Sequence, residues 1–287
     1  DRNAEQFAQD LAATSRVALA DRVDTERTGA SQALLQGQAP PRVLEGYRRA
    51  TGELLHAGRT SGLFDVSPHS AEFLQGRIAD GERRLRDLAL DQARDVLTLR
   101  ALHEQYQNVD PTFAERIAER IRFEYRRAGD FEAAAAFGDA TSQVLAPFDR
   151  GMRLWWIERN RVAARQAFQE LVGIETATEE DARRLARLQT IGRGYVAAQT
   201  DGMGTVAWRA ALAPAATVVL DTNAATYSLE ALSVAYFQML RGEFAEANVL
   251  LRQAASGLPA QIPVGYLQTI ASVRSVEDTP SLSLDAL

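Results

Sequence analysis

Residues 225–259 read ATYSLEALSVAYFQMLRGEFAEANVLLRQAASGLP, and the spacing inside this stretch decides the fold. Small Ala235 precedes Gly242 by about two helical turns, and Phe244, Ala247, Leu251, Ala254 and Pro259 follow. A glycine at 242 takes positive φ without a Cβ clash, so it ends a first helix and turns the chain. Phe244, Ala247, Leu251 and Ala254 recur at helical spacing and form one apolar stripe on a second helix. Gly257 and Pro259 stop that helix. The stretch is therefore one antiparallel helix pair, with Ala235 small enough for the two helices to approach closely.

The nearest echo lies at 111–147. Phe113, Ile117, Ile121 and Tyr125 fall on every fourth residue, Gly129 turns the chain, and Phe131 and Ala134 stand to Gly129 as Phe244 and Ala247 stand to Gly242. The likeness then decays, with Arg122 where a small residue belongs, Gly138 where a bulky one belongs, and Pro147 one place late as a stop. Two further pairs are predicted: 149–160 with 161–173, meeting near Asn160, and 179–200 with 204–219, meeting at Gly202 and Gly204. Ala164, Phe168 and Leu171 carry the apolar face of the first of these, and Thr178 with the acidic residues after it marks a helix start in the second. Residues 261–274 read as a last helix with a more polar outer face, and the tail from Ser275 as flexible.

These spacings resemble the tetratricopeptide repeat, a helical hairpin of about 34 residues. One departure is Gln238, four before the turn glycine, where that family usually has tyrosine; Tyr125 fills the same place before Gly129. Gly129 and Gly242 are not separated by a multiple of the repeat length, so a regular array is excluded and an irregular one expected. The resemblance implies an all-α fold, an α-solenoid of antiparallel helix pairs wound as a right-handed superhelix. It also implies that the first helix of each pair lines a concave surface that holds a peptide or a partner helix. Mapped by motif position, that surface in the last pair includes Leu229, Leu232, Tyr236 and Met239. The same four residues equally fit packing against the helix after Pro259.

Outside this region, 3–35 reads as one long helix or two, ended by Gly37 and Pro40-Pro41, and 41–58 as another, ended by Gly58 and Gly62. Ser70 is the candidate N-cap of a helix running to about Tyr106, weakened by Gly76 and Gly81. The expected organisation is an N-terminal helical region over 1–110, the helical hairpins over 111–274 and the tail over 275–287.

Composition agrees and excludes much. Ala, Leu, Arg, Glu and Gln dominate the 287 residues, and alternating β-branched runs are nearly absent. A net charge of −6 gives no basic field for nucleic acid. With no cysteine there is no disulfide, thiolate nucleophile or cysteine-ligated zinc. All 32 basic residues are arginine, which removes Schiff-base chemistry and a lysine-dependent phosphate loop. The longest apolar run, Ala210 to Leu220, is interrupted by Pro214 and too short to span a membrane. A chain opening on Asp1 is what a processed precursor or a trimmed piece would give, and the first would place it outside the cytoplasm, in a periplasmic setting.

No catalytic or metal motif emerges. His56, His69 and His103 lack ligand spacing. The carboxylates sit beside arginines, in GERRLRD (81–87) and FAERIAERIRFEYRR (113–127), and read as solvated helix faces carrying surface ion pairs. No cofactor is expected. The most suggestive cluster is Trp155-Trp156 between Arg153 and Arg159. Either both tryptophans are buried between hairpins, or one lines a groove and, with an arginine, anchors a peptide. The expected role is thus a non-catalytic interaction or assembly module binding a protein or peptide. An alternative rests on the dipeptides Glu26-Arg27 and Glu158-Arg159, each before an alanine-rich helix, which loosely resemble extracytoplasmic nitrate- and nitrite-type sensor domains. That resemblance implies a helical bundle in which arginines hold a small anion.

Overall fold

Helix-forming residues fill the chain between its glycine and proline breaks, and the computed structural model shows helices joined by short turns, with no strand among the described residues. It describes residues 2–66, 68–137, 140–175, 179–200, 203–222, 224 and 226–277, with backbone alone for 2–12, 66, 68, 140–144, 179–181 and 276–277. The sequence assignments at Gly138, Thr178 and Gly202, and the tail beyond Glu277, lie outside these residues. The fold is all-α. It divides into two units, Asp1–Ile117 and Ala118–Leu287, and the division falls inside the helix that opens at Pro111.

The first unit is built on α1 (Arg2–Leu35), α2 (Pro40–Thr60) and α4 (Pro68–Gln92), each packed on the other two, with α3 (Leu63–Val66) and α5 (Val96–Tyr106) alongside. Its 3–35 segment is one continuous helix. Val23, Leu34, Leu44, Leu74, Leu85 and Leu99 fill its core, each worth about 1.5–3 kcal/mol of apolar burial. Gly81 is a packing residue: a Cβ there would lie 2.2 Å from the Tyr47 hydroxyl oxygen, so its absence lets α2 and α4 close on each other. Gly58 does not end α2, which continues to Thr60 before Gly62 turns at φ +71°; the space above Gly58 holds the Phe64 ring. Nor does Ser70 cap α4. That helix already runs from Pro68, a favourable first-turn position, and Ser70 is buried within it.

The second unit continues from α6 (Pro111–Ala128) through α7 (Phe131–Ala136), α8 (Ala140–Trp156), α9 (Arg161–Val172), α10 (Glu179–Ala198), α11 (Val206–Ala216), α12 (Tyr227–Arg241), α13 (Phe244–Ala254) and α14 (Val264–Glu277). From α7 onward each helix packs on the next in chain order, and α10 also packs on both α8 and α12. Pro147 lies inside α8, and the second helix after Gly129 stops at Ala136, so the 111–147 hairpin has a far shorter second arm than its spacing suggested.

The charged faces are the main departure from the sequence reading. Arg122, Arg126 and Glu124 of α6 are buried, with Arg122 at 0 % exposure. The physical reason is pairing: Arg126 donates two hydrogen bonds to the fully buried Asp149 of α8, at 2.7 and 2.9 Å. Such forks satisfy charges that could not otherwise leave water. In the first unit Glu82 accepts from Arg48 and Arg86 at 2.6 and 2.8 Å, and both guanidiniums lie over the Tyr106 ring. Burial would raise the Glu82 carboxyl, but those hydrogen bonds hold it below its usual range.

Candidate functional site

Trp155 and Trp156 end α8, one helical residue apart and therefore about 100° apart around the axis. Both are buried, at 6 and 7 % exposure, in an aromatic core shared by α8, α9, α10 and α12. Tyr195 of α10 stacks on Phe168 at 4.4 Å, and Tyr236 of α12 meets the Trp156 ring edge-on at 5.2 Å. The polar tips are used internally. Trp156 Nε1 donates to Tyr195 Oη at 2.9 Å, Tyr195 donates to Ser233 Oγ at 3.0 Å, and Ser233 donates to the Leu229 carbonyl at 2.7 Å. Burial pushes the Tyr195 phenol far up and the Tyr236 phenol up to about 12, so both stay neutral. Of the two positions open to the tryptophan pair, the structure takes the buried one.

Leu229, Leu232, Tyr236 and Met239 are likewise core side chains. Helix α12 is buried over almost its whole circumference, from Ser228 to Phe237, because α10, α11 and α13 all pack on it. Its four apolar residues therefore present no surface to a partner. The same helix carries the buried Glu230, which accepts from Arg187 Nε and Thr226 Oγ1, both at 2.5 Å. Glu119 of α6 pairs with Arg122 and with Arg184 of α10, at 2.9 and 2.8 Å. Burial alone would raise Glu119, but the two arginines outweigh it and hold the carboxyl down at about 2. These groups stitch α6, α8, α10 and α12 together.

The accessible chemistry gathers instead across α7, α8 and α9. A cleft of about 450 Å³ opens there, floored by Phe131, Ala135, Ala136, Ala146 and Pro147. Arg150 and Arg153 stand one helical turn apart on α8 and reach to opposite walls, Arg150 to Glu170 of α9 and Arg153 to Glu132 of α7. Arg153 also pairs with Glu158 at 2.9 Å. Of the partner-binding residues expected from sequence, Arg153 alone lines this cleft. Glu132, Arg150 and Glu170 were missed. For Glu132 the sequence signal is the Phe131–Ala134 echo of Phe244–Ala247, which places it on an exposed shoulder beside a buried stripe.

Arg159 lies just beyond, exposed in the α8–α9 turn at φ +57°, the one positive φ among described non-glycine residues. Two other turns of the unit share its backbone angles, although Asn160 N donates six residues back, to Leu154, where Asp130 and Glu243 donate five back. Gly129 at φ +83° and Gly242 at φ +90° each precede a residue with φ near −90°, Asp130 and Glu243, as Arg159 precedes Asn160. Asp130 and Asn160 cap their helices by accepting from Ala133 and Ala163, and Ala134, Ala164 and Ala247 are all fully buried one turn in. Arg159 thus holds the place of a turn glycine.

Compared with known proteins, the chain matches no family model, no curated protein and no solved structure.

Function must therefore be argued from the site. Among the described residues no group of three or more His, Cys, Asp or Glu side chains could hold a metal, and His69 is exposed beside Glu72. No helix among them is long and apolar enough to cross a membrane.

Proposed function

We propose that this chain is a non-catalytic interaction or assembly module whose second unit holds a protein or peptide partner in the cleft across α7, α8 and α9. The observation that carries the reading is that cleft: a largely alanine-lined apolar floor, with two arginines of α8 each paired to a glutamate on an opposite wall. An alanine-rich floor admits backbone closely, and exposed ion pairs exchange partners at little cost, since each contributes under about 1 kcal/mol. The wider frame is an irregular tetratricopeptide-like solenoid, supported by the recurring turn at Gly129, Arg159 and Gly242 and by the stacking of α8, α10 and α12. A net charge of −6 argues for protein rather than nucleic acid as the partner.

The test is to select peptides from a displayed library on the intact chain and repeat the binding with Ala135→Trp. The indole fills the floor of the cleft from a position that is itself only half-buried. Selected peptides should lose at least about tenfold in affinity, the loss of roughly 1.4 kcal/mol expected when a contact surface is blocked. Unchanged binding would place the site elsewhere.

A further inference from the structure

The α8–α9 turn combines three features that its two sibling turns lack. First, it places an arginine where they have glycine. A side chain at positive φ is disfavoured by roughly 1–2 kcal/mol, and glycine would remove that strain. Residues held in such conformations cluster where they serve recognition. Second, Arg159 has no carboxylate within ion-pair reach among the described residues, in a chain whose buried and half-buried arginines largely bind acids. Glu158, its neighbour, is already taken by Arg153.

Third, the arginines that follow are held in place, and among the described residues neither has an ion pair. Arg161 lies over the Trp155 ring at 5.4 Å, and Gln199 Nε2 donates to its backbone carbonyl at 2.7 Å. One turn along α9, Arg165 has its Nε buried without a hydrogen-bond partner. Between them Val162 is 73 % exposed. A cation fixed against an aromatic face loses little freedom on taking up an anion, and the guanidinium fork matches a carboxylate. The patch is locally basic on a chain that is acidic overall.

We infer that this turn docks an acidic segment of a partner protein, with Arg159 and Arg161 receiving carboxylates and Val162 an apolar neighbour. The inference rests on the reading of the second unit as a binding module and names the chemistry of what it binds. It does not depend on the α7–α9 cleft being the main groove.

The experiment uses the full chain, a fluorescein-labelled glutamate-rich decapeptide and its glutamine counterpart, followed by fluorescence anisotropy at low and physiological salt. The glutamate peptide should bind, more weakly as salt rises, and the glutamine peptide should not. Arg159→Gly should weaken binding about tenfold or more, as loss of a charge-assisted hydrogen bond requires. The same variant should melt at a higher temperature, because glycine suits the turn. Arg159→Lys should stay within a few-fold of the wild type, and Arg161→Gln should behave as Arg159→Gly does. Ala135→Trp should leave the glutamate peptide bound, so failure of the cleft reading and failure of this one are distinguishable. Arg159→Gly binding as tightly as the wild type would overturn the inference, as would inorganic phosphate displacing the peptide at equal concentration, which would mark a small-anion site.

Discussion

Asp149 has no exposed surface, yet it accepts both hydrogen bonds of the Arg126 fork. Its removal leaves a guanidinium stranded in the core, a situation that costs about 3–5 kcal/mol. Asp149→Ala should therefore lower the unfolding free energy by that much in urea titrations, whereas loss of an exposed pair partner such as Glu132 should cost under about 1 kcal/mol. At this scale the sequence was least legible. The run from Phe113 to Arg127 alternates apolar and charged residues as a surface helix does, and nothing local distinguishes Arg122 or Arg126 from Arg127. The distinction comes from Asp149, which reaches Arg126 only in the folded chain, and from the Phe137 carbonyl, which accepts from Arg122 Nη1. Sequence shows the charge of Arg159; that it stands in a glycine's place is visible only from its backbone angle.

Elements were read more successfully, because helical periodicity and glycine breaks act over a few residues. The pair around Gly242 is present as expected, with Gly242 in the left-handed region between α12 and α13. What sequence could not assign was the purpose of glycines inside helices. Gly194 in α10 is one: a Cβ there would lie 2.5 Å from the Ala215 Cβ and 2.7 Å from the Phe237 ring. Gly52 in α2 meets nothing within 4 Å. Gly194→Ala should therefore destabilise by about 1–3 kcal/mol through overpacking, despite alanine's better helix propensity. Gly52→Ala should stabilise by about 0.5–1 kcal/mol. Paired thermal melts would check both signs.

At the scale of the molecule, the all-α class followed from composition and spacing alone, and the boundary near residue 110 was placed at a proline-marked break. Contacts divide the chain a little later, within α6, whose first turns carry Phe113 against Tyr106 and whose later turns carry Arg126 against Asp149. The binding surface was less legible. Family position pointed to the first helices of the pairs, but burial by three neighbours turns α12 into core and leaves the accessible cleft on the shorter α7 and its flanks. The most direct measurement is hydrogen–deuterium exchange of the intact chain with and without a peptide selected on it. Slowed exchange is expected at Phe131–Ala136 and the facing turns of α8 around Arg150 and Arg153. Protection concentrated in α10–α14, or in the first unit, would contradict the cleft as the binding site.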